Sequence, residues 1–381
     1  MSHLNAPQGR KRIDEFDLLR GAAIVGVVFL HAYFTPWPEV SKSGLAVLHA
    51  SHLLAHGAVP LFLFVSAYLQ GAARRERLLV YLRRRSRRIW IPAAVWMLAT
   101  LAYRALSDGA SLGLIREFAL FNISGQFYFV WLLLFFSAAL TQGWRISARW
   151  LPMIVAIAFA INLVMIGWYA ERESIAGYEA IFAYRNPLVW MFFPAFGYAL
   201  GRQGLAELPG RIVRYAALMM ALAASVYLYR GIALDTWPVS YFGVSVFLFS
   251  AGGTVVYPSL ARLAMRSRMV ADPLVGLSRY ALAIYFVHMP FVMGFGTQEI
   301  LGNGAAWSNY WALLMANFLV GLFVSLALVR ETGKFSPRIA DWVFGTEGER
   351  RGARSTREAN EDDSPGGGTE RERALEAPLA S

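Results

Sequence analysis

The chain of 381 residues has no cysteine at all and only 16% charged residues. The first absence excludes disulfides, thiolate metal sites and cysteine nucleophiles. The second is well below the ~25% of an ordinary soluble domain. Its counterpart is a 57% hydrophobic composition and a mean hydropathy of +0.43. Together with long apolar runs, these values indicate an integral membrane protein. No internal repeat is evident, and no span alternates in the manner of a β-barrel strand. No small-residue cleavage site follows the first apolar run, so that run reads as a retained span rather than a removed signal peptide. Net charge is +11. Nucleic-acid binding is nevertheless not the reading, because the basic residues cluster between apolar spans, where they set orientation.

Ten segments are apolar and long enough to cross a bilayer as helices. They lie near 14–36, 49–71, 89–107, 125–142, 150–169, 181–201, 211–229, 238–261, 276–297 and 309–330. Arg and Lys crowd alternate loops, at 10–12, 74–88, 145–149, 202–214, 262–279 and 330–338. The other side holds only Lys42, Arg104, Arg116, Arg172, Arg185 and Arg230. By the positive-inside rule both termini are cytoplasmic. The expected fold is therefore an all-α integral membrane protein of about ten transmembrane helices. Residues 1–13 form a short cytoplasmic segment and 14–340 the membrane domain. Residues 346–381 are charged and rich in Gly, Ser, Pro and Ala, the composition of a disordered cytoplasmic tail.

The first span is the most unusual. It carries Asp17 and Arg20 near its inner end and His31 further out. A charge within hydrocarbon costs at least ~2.5–3.5 kcal/mol, so it is rarely present without a role. Arg20 and His31 are eleven positions apart, roughly 16 Å of rise and close to three whole turns, so they share a face. Asp17, one turn before Arg20, can pair with it and lower the cost of burying either. His49, His52 and His56 share one face of the second span, and His288 lies past the middle of the ninth. On the charge-based topology all of these histidines fall in the outer half of the membrane domain. A metal site built from His49, His52 and His56 is the weaker reading, for want of a nearby carboxylate in the spans. Ser66 interrupts an apolar run in span 2; Asn162, Arg185, Asn186 and Tyr285 are further polar residues in or at spans. Pro60, Pro92, Pro187, Pro194 and Pro290 mark bends that open space between helices. The basic stretch 76–88 suits an inner loop lying on anionic headgroups, and its arginines also suit phosphate groups.

These residues resemble the acyltransferase-3 family of bacterial membrane O-acyltransferases. Asp17 to Gly21 through His31 is similar to that family's first-span motif, with Arg and His at the same gap. Val59–Leu69 resembles its second-span segment, with Ser66-Ala67 where the family usually has Ser-Gly. Arg84–Pro92 resembles the basic entry to the third span, Ser124–Phe129 a Gly-aromatic segment opening the fourth, and Gly276–Pro290 a late motif of Ser, Tyr, Tyr, His and Pro. Spans 5–8 contribute hydropathy alone.

The resemblance implies transfer of an acyl group, acetyl or succinyl, from cytoplasmic acyl-CoA to a hydroxyl of a surface or periplasmic glycan or its precursor. The expected catalytic set is His31, His288 and Tyr285, with His31 as general base. The expected donor-binding set is Arg20, Asp17, Arg85, Arg88 and Ser66. Acetyl-CoA or succinyl-CoA acts as a donor substrate, with no permanently bound cofactor and no metal. The expected partners are the lipid bilayer, acyl-CoA and a carbohydrate acceptor, in a bacterial inner membrane. The rival class is a transporter or exporter of a glycan or anionic solute, since a buried arginine in a polar cavity suits either.

Overall fold

The computed structural model describes residues 8–33, 42–73, 77–107, 109–170, 178–204, 208–233, 241–294 and 310–346. The tail at 347–381 lies outside them, as do residues 1–7. Among the described residues every regular element is helical. In chain order they are α1 (Gln8–Ala32), α2 (Lys42–His56), α3 (Ala58–Ala72), α4 (Leu78–Arg85), α5 (Ile91–Ser107), α6 (Leu112–Ala119), α7 (Tyr128–Leu140) and α8 (Leu151–Ala170). There follow α9 (Tyr178–Arg185), α10 (Phe192–Gln203), α11 (Gly210–Ala233), α12 (Val244–Ala264), α13 (Arg268–Ser278), α14 (Ala281–Met289), α15 (Tyr310–Phe335) and α16 (Pro337–Phe344).

Among the described residues seven helices are long and apolar enough to cross a membrane, at Ser43–Ala72, Leu78–Ser107, Gly125–Arg145, Ala148–Tyr169, Gly210–Ala233, Val244–Ala264 and Leu314–Phe335. Counting a bent pair as one span makes eight. Three of the ten expected spans therefore fall short by this measure, each for a physical reason. The described part of α1 holds Asp14, Glu15, Asp17 and Arg20, too many charges for a plain apolar window. The segment expected at 181–201 is broken, because Asn186 and Pro187 start a 3-10 turn between α9 and α10. The segment expected at 276–297 is bent by 72° between α13 and α14.

The charged helix is central. α1 packs against α2, α3, α12, α13, α14 and α15, and buries Phe16, Leu19, Ile24, Val27 and Val28. Much of its surface therefore meets protein, which makes the presence of its polar residues tolerable. Peripheral helices show the complementary pattern. α11 exposes Leu218, Leu222 and Val226, and α8 exposes Ile157 and Val164, as surfaces in contact with hydrocarbon do.

Close backbone approach sets the packing of α3 on α10. A Cβ on Gly197 would strike the Phe64 carbonyl, one on Gly201 the Tyr68 carbonyl, and one on Gly71 the Tyr198 carbonyl. Small residues at such a crossing let two helices approach backbone to backbone. At the chain's described end, α16 lies against α5: Trp96 Nε1 donates to the Val343 carbonyl at 3.0 Å, and Gly345, at φ 70°, turns the chain over the Arg88 carbonyl.

Candidate functional site

α1 and α14 bring the two histidines of the expected site into direct contact. His31 Nδ1 and His288 Nε2 lie 2.7 Å apart, with ring centroids at 4.9 Å and planes 25° apart. His288 is fully buried, whereas His31 retains some exposure. The other nitrogen of His288 faces main chain: Nδ1 is 2.9 Å from the Tyr285 carbonyl and 3.1 Å from that of Ile284. Pro290 follows two residues later and begins a π-helical turn, Pro290–Gly294. Proline has no N–H to continue the regular ladder, so the helix loosens just beyond the histidine.

Tyr285, one turn before His288, is also buried, and its hydroxyl donates to the Gln126 carbonyl. Its ring packs on Phe129 at 5.2 Å. Gln126 is itself buried and accepts from Ser124 Oγ at 2.5 Å, so the turn opening α7 is tied to α14. Gln126 was not among the expected site residues. The only signal for it was its place within the Gly-aromatic segment.

Nearer the N-terminal end of α1, Arg20 Nη1 donates to Asp17 Oδ1 at 2.8 Å, with both side chains about one-quarter exposed. The Arg279 guanidinium adds to the positive field at Asp17. Phe16 stacks on Tyr68 at 4.0 Å, which holds this turn of α1 against α3. Gly21 follows Arg20 because α13 passes so close that a Cβ there would collide with the Leu274 carbonyl.

A cavity of about 660 Å³ opens between the ends of α3, α4, α7 and α10. Arg84, Arg85 and Arg202 line it, with Tyr81, Gln70 and Trp144. Arg85 Nε donates to Tyr81 Oη at 3.0 Å; that hydroxyl donates to Gln70 Oε1 at 3.1 Å, and Gln70 Nε2 donates to the Ser137 carbonyl at 2.8 Å. The Arg202 guanidinium sits 5.9 Å from the Tyr198 ring centroid and donates to the Gly143 carbonyl at 3.2 Å. Arginines held on aromatic faces by such chains can offer their remaining N–H groups to phosphate. Of the donor-binding residues expected from sequence, Arg85 lines this cavity and Arg20 and Asp17 pair on α1. Arg88 and Ser66 do not line the cavity. Sequence had marked Arg202 only as an inner-loop charge.

The remaining polar residues have other duties. His52 Nδ1 is 2.9 Å from Tyr227 Oη, and His56 Nδ1 donates to the His52 carbonyl at 2.9 Å. Among the described residues no group of three or more His, Asp and Glu is arranged to hold a metal ion. Arg185 pins a loop, with Nε on the Leu120 carbonyl at 2.5 Å and Nη2 on the Phe121 carbonyl at 2.6 Å. Asn162 is fully buried and clamps the break before α10, donating to the Val189 carbonyl at 2.5 Å and accepting from the Phe192 amide at 3.3 Å. Asn186 caps the 3-10 turn through the Leu188 amide at 3.0 Å.

Comparisons with curated proteins and with solved structures returned no match. A family model described as an acyltransferase domain matches residues 13–330, from within the charged central helix α1 to within α15. The match takes in both histidines, the Asp17–Arg20 pair and the arginine cavity, and the chain belongs to the acyltransferase-3 family of membrane acyltransferases.

Proposed function

We propose that the chain is an O-acyltransferase of the bacterial inner membrane. It moves an acetyl or succinyl group from cytoplasmic acyl-CoA to a hydroxyl of a surface or periplasmic glycan or its precursor. In this reading ten spans cross the bilayer, the seven regular ones together with α1, the broken α9–α10 segment and the bent α13–α14 pair, and both termini are cytoplasmic. The observation that carries the proposal is the 2.7 Å contact between His31 and His288 within a family of acyltransferases.

The reaction needs a base for the acceptor hydroxyl and an aligned thioester. His31 serves as the base: a neutral imidazole offers one nitrogen lone pair to a proton, and a placed general base contributes ~10²–10⁴-fold. The hydroxyl gives its proton to His31 as its oxygen bonds to the thioester carbonyl carbon. The carbon–sulfur bond then breaks, and the proton passes from His31 to the departing thiolate. No net proton is gained or lost. Arg20, about 16 Å along the helix from His31, faces the donor from the cytoplasmic side. Arg85, with the cavity it lines, supplies guanidinium groups for the CoA phosphates. Direct transfer is preferred to an acyl-enzyme, because the chain has no cysteine and Ser66 is bonded to neither histidine of the pair.

The test is mass spectrometry of surface glycans from cells lacking the gene, complemented by wild type or by His31→Ala at matched membrane levels. Wild type should restore an ester mass and His31→Ala should not; the added mass names the acyl group. Restoration by both would remove His31 from the chemistry. An unchanged ester pattern with loss of the glycan itself would favour export.

A further inference from the structure

The partners of His288 decide which atom of His31 does the chemistry. His288 Nδ1 faces two carbonyl oxygens, at 2.9 and 3.1 Å, and a carbonyl only accepts. Nδ1 therefore carries the hydrogen. In the neutral ring Nε2 is then a bare lone pair, and it points at His31 Nδ1, 2.7 Å away. That contact holds only if His31 Nδ1–H is the donor. The proton of His31 is thus committed to Nδ1, and its Nε2 is left as the basic nitrogen. Complete burial of His288, with both nitrogens occupied inside the protein, leaves it no atom for substrate.

We infer that His288 is a positioning residue that locks His31 in its Nδ1–H tautomer, so that His31 Nε2 is the atom that takes the acceptor proton and returns it to the thiolate. This rests on the proposed role of His31 as base. The order is main-chain carbonyls, His288, His31, substrate. A main-chain pair and a neutral imidazole here occupy the place that a carboxylate holds in serine hydrolase triads. When His31 becomes cationic during transfer, its Nδ1–H bond to His288 becomes charge-assisted and strengthens. The device requires no buried anion in the membrane, where one would be costly.

The test follows transfer of labelled acyl groups from acyl-CoA to endogenous acceptor in native membrane vesicles. The variants are His31→Ala, His288→Ala, His288→Gln and the double alanine, at matched protein amounts. Each alanine should lower kcat by about 10²–10⁴-fold, with the KM for acyl-CoA changed less than about threefold. The double variant should be no worse than His31→Ala within about threefold, because His288 acts only through His31. His288→Gln offers both an acceptor and an N–H, and should recover about tenfold over alanine. Losses that multiply in the double variant, with His31→Ala impaired by the expected factor, would overturn this inference alone. An active His31→Ala would overturn the base assignment and this inference with it. A measurement free of any folding defect uses ring-¹⁵N histidine in the wild-type protein, with the His31 signal identified by its loss in His31→Ala. A protonated Nδ1 and bare Nε2 at His31 are expected, and the opposite tautomer would refute the lock.

Discussion

Adding one methyl group to Gly201 should drive α3 and α10 apart. A Cβ built there lies inside the van der Waals envelope of the Tyr68 carbonyl oxygen and 3.0 Å from the Ala72 amide nitrogen. Both are main-chain atoms, so neither can swing aside as a side chain would. Relieving the overlap requires the helices to separate by about 1 Å, which forfeits a quarter to a half of the dispersion energy along the seam. Overpacking of a tight contact costs ~1–3 kcal/mol, and a backbone clash belongs at the upper end, near ~3. The matched control is Gly167→Ala on α8, where nothing lies within 4 Å of the new Cβ. There the substitution should stabilise by ~0.4–1 kcal/mol, through reduced freedom of the unfolded chain.

The assay is the folded fraction of purified protein titrated with SDS in mixed micelles. Gly201→Ala should lose ~3 kcal/mol while Gly167→Ala loses nothing. Gly197→Ala, which meets the Phe64 carbonyl on the same seam, should resemble Gly201→Ala. The double variant should cost less than the sum, because one separation of the helices relieves both clashes. A Gly201→Ala protein as stable as Gly167→Ala, or a strictly additive double variant, would refute the argument that this crossing is a rigid backbone contact.

Three further outcomes are expected. Asn162→Leu should destabilise by ~2–6 kcal/mol in the same titration, since it strands the buried Val189 carbonyl and Phe192 amide at ~1–3 kcal/mol each. Tyr285→Phe should keep at least about one-third of wild-type transfer, because the hydroxyl serves the Gln126 carbonyl; a fall in kcat beyond ~10²-fold would put that hydroxyl in the chemistry, where general acid–base effects are of this size. Arg20→Gln should raise the KM for acyl-CoA at least about tenfold, roughly 1.4 kcal/mol of lost binding, with the histidine pair intact; an unchanged KM would detach Arg20 from the donor.

Much of the membrane architecture is readable from composition, because a lipid-facing helix must be apolar along its whole length. The expected segments at 150–169 and 211–229 coincide with α8 and α11 for that reason. The bend between α13 and α14 is a different matter. Ser278 and Arg279 stand at the break within the otherwise largely apolar run 273–292, but no residue there fixes a 72° change of direction. Side-chain destinations were equally hidden. Arg185 and Asn162 look like site residues in a linear reading, yet their hydrogen bonds are spent on the main chain of a loop and of a helix break. Arg202 and Arg85 are far apart in sequence and meet only because the glycine seam brings α10 onto α3. For the histidines, depth along the helices predicted that His31 and His288 would lie at a similar level. The atom-to-atom pairing was beyond reach, since it depends on which carbonyls the winding of α14 presents to His288 Nδ1.

The departures from an ordinary apolar span are not scattered. Two of the three irregular segments, α1 and α13–α14, meet at the histidine pair, and the ordinary helices surround them. Departures from local rules are expected where function requires them. Here the surrounding helices also make them affordable in physical terms. α1 can hold Asp17, Arg20 and His31 because, among the described residues, six helices pack against it. α14 can end in a π turn because its loosened backbone is packed against α15 and not against hydrocarbon. A chain that buried the same residues in a peripheral helix such as α11 would face the full insertion cost for each charge. The central placement of α1 is thus a condition for the proposed chemistry as well as a feature of the fold.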